Sequence, residues 1–171
     1  DWLDSSEIIY IETSGTTATP KRILFKKQAL VNSVIATGDF FNVSKGDKAL
    51  HCLPVNFIAG KMMMIRAIIL GLSLDLVSPS KNPFYKNNKI YDFVAMTPMQ
   101  AFHSLSKMNQ IKKLIIGGSF ISNTLHEALI KKKVNAFETY GMTETLSHIA
   151  VRSIRENSFK FKCLPLSLIH I

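Results

Sequence analysis

The first segment with chemical potential is residues 13–21 (TSGTTATPK), where five hydroxyl side chains, one Gly and one Lys follow an apolar stretch. Hydroxyls and backbone N–H groups donate hydrogen bonds to phosphate oxygens, Gly15 lets the backbone approach closely, and Lys21 adds positive charge. The segment is not a Walker loop, because no second Gly directly precedes Lys21 and no hydroxyl residue follows it. Its composition fits either a polyphosphate-binding loop or a Ser/Thr-rich surface loop.

The second segment is residues 139–145 (TYGMTET), where Glu144 lies between two Thr residues. Magnesium bound to a nucleotide usually takes only one or two protein carboxylates, so Glu144 beside Thr143 is a candidate magnesium and phosphate site. The alternative is structural: Glu144 would be a first-turn residue of a helix capped by a Thr.

Both segments follow predicted strands. Hydrophobic patterning predicts strands over residues 7–12, 49–53, 72–77, 93–96, 114–116 and 135–139, and helices over 25–41, 58–70, from Pro98, and over 122–133. Strands that alternate with helices predict an α/β fold, a mostly parallel sheet with helices on both faces. Ligands of such sheets bind at the carboxyl ends of strands, which is where both segments fall.

Composition favours a folded domain, since 47% of the residues are hydrophobic and 19% are charged. The net charge of +9 comes from lysines scattered over separate segments, so we expect solvated surfaces and no nucleic-acid partner. Phosphate-bearing small ligands remain compatible with the excess charge. Residues 62–76 form the longest apolar stretch, but Arg66 and Asp75 interrupt it, so we expect no membrane span.

Cysteine and histidine usage suggests neither a disulfide framework nor a metal cluster. Cys52 and Cys163 are far apart, which makes a reducing cytoplasm the expected location. Four histidines lack metal-ligand spacing, and we expect each to be structural or exposed: His51, His103, His126 and His148.

The two segments, in this order and about 120 residues apart, resemble the signature pair of the acyl-adenylate-forming (AMP-binding) superfamily. Residues 51–54 (HCLP) and 114–119 (LIIGGS) resemble two further motifs of these enzymes. Within the superfamily, residues 140–152 and 52–67 look most like the o-succinylbenzoate–CoA ligases of menaquinone biosynthesis. The resemblance implies ATP- and Mg²⁺-dependent activation of 2-succinylbenzoate as an acyl-adenylate, which then passes to coenzyme A. Two alternatives stay open: another aryl or fatty acyl-CoA synthetase, or a non-catalytic basic binding module.

The resemblance also implies roles for individual residues. The β- and γ-phosphates of ATP would be held by Ser14, Gly15, Thr16, Thr17 and Lys21. Thr143 would contact phosphate, and Glu144 would position magnesium. The adenine side of the site would be formed by Gly118, Ser119 and Tyr140, with the adjoining Gly141. Lys21, Thr143 and Glu144 are therefore the catalytic candidates. Candidates for the aromatic acid pocket are Phe57, Ile58, Gly60, Lys61, Gly117 and Ser147.

Some of these assignments carry their own alternatives. Lys61 could attract one of the two substrate carboxylates, or it could be a surface lysine at a helix end. Ala18 stands where the family usually has Gly, and Asn56-Phe57 stands where many relatives have an aromatic residue followed by His. These departures leave loop mobility and an imidazole contact to substrate in question.

The ends of the chain suggest part of a longer enzyme. Residues 1–165 are expected to form part of an amino-terminal AMP-binding domain, because in the family the ribose-binding Asp and the mobile domain with its catalytic Lys follow the second segment. Residues 146–171 contain no Asp, so we expect no efficient adenylation or thioesterification by this chain alone. Residues 166–171 (LSLIHI) match a translated transposase-end adapter sequence, and we expect this tail to be an assembly artefact.

Overall fold

A computed structural model of the chain describes residues 2–13, 21–85, 88–156 and 160–164. Its strands are β1 (Ile8–Glu12), β2 (Arg22–Lys26), β3 (Lys48–His51), β4 (Ser73–Leu76), β5 (Phe93–Met96), β6 (Leu114–Ile116), β7 (Ala136–Met142), β8 (Ser147–Ser153) and β9 (Lys162–Cys163). Its helices are α1 (Lys27–Phe41), α2 (Ile58–Leu70), α3 (Pro98–His103) and α4 (Asn123–Lys131), with 3₁₀ turns at Leu105–Gln110 and Thr143–Thr145. Across these four ranges, no helix has the length and apolar character needed to span a bilayer.

The main sheet has seven strands in the order β4-β3-β5-β6-β7-β8-β9. The first five strands in this order, β4, β3, β5, β6 and β7, pair in parallel. The last two, β8 and β9, are added antiparallel at one edge. The predicted α/β class with a mostly parallel sheet is therefore confirmed. Short apolar strands joined by helical crossovers produce this arrangement, because parallel neighbours cannot be linked by a tight hairpin.

Side-chain alternation along the strands divides the core between the two faces of the sheet. On one face, Leu50, Val94 and Leu114 pack in a cluster with Leu125 and Leu129 of α4 and Ala101 of α3. On the other, Ala49, Phe93 and Ile115 pack with Phe41 of α1 and Met63 of α2. Helices thus cover both faces, as the patterning predicted.

A second, two-stranded sheet is formed by β1 and β2, which pair antiparallel from Ile8 opposite Lys26 to Glu12 opposite Arg22. The sequence prediction had a helix beginning at residue 25, and this is wrong, because residues 22–26 are a strand and α1 begins at Lys27. The alternation in β2 leaves Ile23 and Phe25 half-buried and their neighbours exposed. Pairing also satisfies backbone groups that β1 alone would leave open.

The carboxyl-terminal part contains more strand than predicted. The last strand was expected to end at residue 139, but β7 continues to Met142, and β8 and β9 follow it. In the β7–β8 pairing the register shifts between Tyr140 and Gly141. Periodicity reasoning stopped at residue 139 because Gly and polar residues follow it, whereas pairing with β8 carries the strand onward.

The start of α3 is tied to the end of β3. Thr97 caps α3, since its Oγ1 accepts a hydrogen bond from the Gln100 backbone N–H at 3.2 Å, and Gln100 Oε1 accepts one from the Thr97 N–H at 3.1 Å. Gln100 Nε2 also donates to the Cys52 carbonyl oxygen at 2.9 Å. This capping box therefore fixes the loops after β3 and β5 relative to each other.

We expect Phe93→Ala to lower the free energy of unfolding by about 3–5 kcal/mol, because the Phe93 ring is fully buried and packs against the Phe41 ring. The two ring centres are 5.9 Å apart. Urea unfolding would measure this loss. Phe120→Ala is the control, since Phe120 is 76% exposed and should change stability by no more than about 0.5 kcal/mol. Equal losses in both variants would contradict the described core.

Candidate active site

A cavity of about 320 Å³ opens at the carboxyl ends of the parallel strands. It is lined by Leu53 and Pro54 after β3, Met96 and Thr97 at the end of β5, Gly117 and Gly118 after β6, and Thr139, Gly141 and Met142 of β7. The volume is at the lower end of the range for small-molecule sites, roughly 300–1,000 Å³. Parallel pairing explains the location, since it brings the strand ends to one edge of the sheet.

The amino-terminal turn of α2 forms a further wall of this cavity, through Phe57, Ile58, Ala59 and Gly60. The first backbone N–H groups of a helix have no partner within the helix, and they carry its positive dipole end. Gly60 permits this position, because a Cβ there would overlap the Pro54 carbonyl. The α2 terminus is therefore held against the loop after β3 and favours a negatively charged group in the cavity.

Two turns further along α2, Arg66 also lines the cavity, although it is only 2% exposed. Its Nη2 donates a hydrogen bond to Ser147 Oγ at 2.9 Å, and its Nε has no hydrogen-bond partner. Burial lowers the pKa of Arg66 to about 10, so the group is still charged at neutral pH. No carboxylate within the four described ranges forms an ion pair with it.

His148 completes this buried polar group. Its Nδ1 lies 3.1 Å from Ser147 Oγ and 3.5 Å from Arg66 Nη2. Because a guanidinium only donates hydrogen bonds, Nδ1 must accept, which places the proton of the neutral ring on Nε2. Burial, together with the Arg66 charge, lowers the pKa of His148 to about 3. His148 is thus a neutral acceptor that helps to orient Ser147 and Arg66.

The turn that follows β7 is held by its own hydrogen bonds. Thr145 Oγ1 accepts from the Met142 N–H at 2.9 Å and donates to the Ser147 carbonyl oxygen at 2.7 Å. A Cβ on Gly141 would overlap the Ser147 carbonyl, so this close crossing of β7 and β8 requires Gly. Within this turn Thr143 is buried and Glu144 is exposed.

Glu144 suits a magnesium ion held mostly by phosphate oxygens, because such ions need only one or two protein carboxylates. In the part of the chain that the structure describes, no three His, Cys, Asp or Glu side chains converge as a metal site. A magnesium ion at Glu144 would therefore depend on the nucleotide for its other ligands. Thr143, directly before it, is the neighbouring hydroxyl.

Of the first segment, Ser14, Gly15, Thr16 and Thr17 lie outside the described residues. Its two ends are bonded to each other, since the Thr13 N–H donates to the Lys21 carbonyl oxygen at 2.9 Å and the Lys21 N–H donates to Thr13 Oγ1 at 3.2 Å. The segment therefore connects the two strands of the β1–β2 hairpin. Leu146, directly after the second segment, packs against the cluster that contains Ile9 and Ile11 of β1, the strand that precedes the first segment.

Most residues expected at the acid pocket line the cavity, namely Phe57, Ile58, Gly60, Gly117 and Ser147. Lys61 is the exception, because it is half-buried on α2 and its side chain is not part of the cavity wall. Gly118 and Gly141 line the cavity, while Ser119, Tyr140 and Lys21 are exposed outside its wall.

Sequence reasoning missed Arg66 and did not assign His148 to the cavity. Arg66 was visible only as an interruption of the apolar stretch. A charged side chain in the middle of a largely apolar helix was the available signal, since such residues are seldom buried without a function or a partner.

The sequence pattern of the AMP-binding enzymes matches residues 2–163. The chain is also similar to an acyl-CoA synthetase (AMP-forming)/AMP-acid ligase II-like protein from Dyadobacter fermentans, with a TM-score of 0.89 and 32% identity over 96% of this chain and 49% of that one. The o-succinylbenzoate coenzyme A synthetase of Bacillus subtilis, solved with ATP and magnesium, shares the fold, with a TM-score of 0.75 and 24% identity over 87% of this chain and 33% of that one.

Among curated sequences, a 2-succinylbenzoate–CoA ligase from Bacillus cereus is 26% identical in an alignment of length 164 that covers 88% of this chain and 33% of that protein. This chain belongs to the AMP-binding enzyme family, and the predicted resemblance is confirmed. It spans about a third of the length of the curated relatives that it matches.

The buried state of His148 predicts a loss of stability in acid. Its folded-state pKa of about 3 lies below the ordinary value of 6.5, so unfolded chains bind a proton that folded chains exclude. The free energy of unfolding should fall by about 2 kcal/mol between roughly pH 7.5 and pH 5 through this group alone. Burial also lowers the pKa of His51, which adds a loss of the same sign.

Urea unfolding at the two pH values would measure this change. His148→Gln should remove its share of the pH dependence, whereas His103→Gln, at an exposed position, should leave the dependence in place. An unchanged slope in His148→Gln would contradict the buried, neutral imidazole.

Proposed function

We propose that this chain supplies the nucleotide- and acid-binding part of an ATP-dependent acid–CoA ligase, with residues 1–165 forming part of its amino-terminal domain. The observation that carries the proposal is the buried cation Arg66, which lines the cavity and has no carboxylate partner among the described residues. A buried cation of this kind is costly unless an anion joins it. Family membership makes a substrate carboxylate the appropriate anion.

The nucleotide would bind along the outer rim of the cavity. Lys21 and the residues before it would hold the β- and γ-phosphates, Thr143 would contact phosphate, and Glu144 would hold magnesium. Gly118, Ser119, Tyr140 and Gly141 would form the adenine side. When held at Glu144, magnesium would supply charge neutralisation at the triphosphate. The side chains named here would position the α-phosphate for attack by a carboxylate, with pyrophosphate as the leaving group.

The acid would occupy the cavity, with its reacting carboxylate toward the nucleotide. A second carboxylate on the same molecule would pair with Arg66, and the amino-terminal turn of α2 would add positive potential to the same cavity. This arrangement favours an aromatic dicarboxylic acid such as 2-succinylbenzoate over a fatty acid, whose tail would offer no charge to Arg66. Coenzyme A would be the acceptor in the second half-reaction, and the enzyme would act in the cytoplasm.

Calorimetric titration of the chain with Mg·ATP tests the nucleotide site. Lys21→Ala and Glu144→Gln should each weaken binding by about 10- to 100-fold, because each removes a charged contact to phosphate or metal. The matched controls are Lys26→Ala and Glu127→Gln, which alter residues of the same types outside the proposed site. In the complete polypeptide, extended to the length of its relatives, carboxylate-dependent ATP–pyrophosphate exchange is expected, and no exchange with any acid would overturn the proposal.

Arg66→Met separates acid recognition from folding. Replacing a buried cation without an anionic partner by an apolar side chain should leave the free energy of unfolding unchanged or raise it. The same variant should weaken 2-succinylbenzoate binding by about 10- to 100-fold while leaving benzoate, which has one carboxylate, nearly unaffected. Lys61→Met on the same helix is the control, and a larger effect there would show that Lys61 holds the second carboxylate.

A further inference from the structure

Beside the cavity, four side chains from neighbouring segments form a continuous series, which we call the edge stack: Glu138 and Tyr140 of β7, Arg152 of β8, and Phe161 directly before β9. Arg152 Nη2 forms an ion pair with Glu138 Oε2. The Arg152 guanidinium carbon lies 5.3 Å from the centre of the Phe161 ring. The Phe161 and Tyr140 ring centres are 6.0 Å apart, with 61° between their planes.

Burial falls steadily along the edge stack. Glu138 is 7% exposed, Phe161 is 39% exposed and Tyr140 is 60% exposed. Glu138 lies directly opposite Arg152 in the β7–β8 pairing, so the ion pair anchors the buried end of the series to the sheet. Tyr140 forms the free end, at the place where β7 reaches the cavity.

The exposed Tyr140 ring is in aromatic contact with the Phe161 ring. A ring that is mostly exposed loses side-chain entropy when a ligand fixes it, and this loss weakens binding. An edge-on aromatic contact restricts the ring before the ligand arrives. Phe161 makes this contact, and the Arg152 cation over its ring restrains Phe161 in turn.

We propose that Phe161 is a positioning residue for the nucleotide base: it holds the Tyr140 ring in place for a purine to stack on it, and the Glu138–Arg152 ion pair holds Phe161. This inference rests on the proposed function, because it takes Tyr140 to be part of the nucleotide site. It extends that site to the segment directly before β9, which contributes no residue to the cavity wall.

Parallel titrations with Mg·ATP and with magnesium tripolyphosphate separate positioning from a merely structural role. Phe161→Ala should weaken Mg·ATP binding by about three- to tenfold and leave tripolyphosphate binding unchanged, because only the base contacts Tyr140. Phe161→Tyr should restore affinity. Phe102→Ala, at an exposed ring on α3, is the control and should change neither affinity.

A double-mutant cycle tests whether Phe161 acts through Tyr140. In the Tyr140→Ala background, Phe161→Ala should cause no further loss of ATP affinity. The proposal is overturned if the two substitutions reduce ATP affinity by independent factors that multiply in the double variant. It is also overturned if Phe161→Ala weakens tripolyphosphate binding as much as ATP binding.

NMR spectra of the chain with ring-labelled tyrosine test the contact between Tyr140 and Phe161 in the absence of nucleotide. The Tyr140 signals should shift in Phe161→Ala and stay in place in Phe102→Ala, and an unshifted Tyr140 in both would overturn the proposal. If Tyr140 shifts but the unaltered chain binds no ATP, the proposed function fails and the base-stacking role fails with it. If the unaltered chain binds ATP only as tightly as Phe161→Ala does, only the positioning role is overturned.

Discussion

Parallel pairing from β3 to β7 is the constraint on which the rest of the structure depends. The strand ends come together at one edge of the sheet because neighbouring strands pair in register. Leu50 pairs with Val94, Met96 with Ile116, and Ile116 with Glu138. The loops that leave β3, β5 and β6 at this edge therefore border the same cavity. The crossovers needed between parallel strands place α2 over the sheet, so that its amino-terminal turn and Arg66 reach that cavity as well.

The polar interior of this site differs from the rest of the core. Elsewhere the buried layers are largely apolar, whereas Arg66, Ser147 and His148 bring charge and directed hydrogen bonds into the space between α2 and β8. The neutral imidazole accepts, the hydroxyl links the two groups, and the Nε of the guanidinium has no hydrogen-bond partner. Such an arrangement costs folding free energy, and in the proposed function it is offset by a preorganised site for a carboxylate.

The antiparallel addition of β8 gives the end of β7 its shape. The register shift after Tyr140 and the close crossing at Gly141 turn the chain sharply, and the hydroxyl of Thr145 then closes the turn. This local geometry separates buried Thr143 from exposed Glu144 over adjacent residues. The same strand brings Arg152 to the edge stack, so one hairpin supports both the metal-binding and the base-binding proposals.

The sequence by itself determined the α/β class, the bounds of α2, β5 and β6, and the two polar segments at strand ends, because local periodicity and turn residues encode these features. It did not reveal β2, β8 or β9, which are defined by their pairing with other strands, nor the exclusion of Lys61 from the cavity wall that Arg66 lines. The two side chains lie five positions apart on one helix, and only the packing of α2 on β8 determines which of them faces the cavity. Tertiary structure decided this because packing against a particular neighbour, and not residue type, determines which of the two cations lines the cavity.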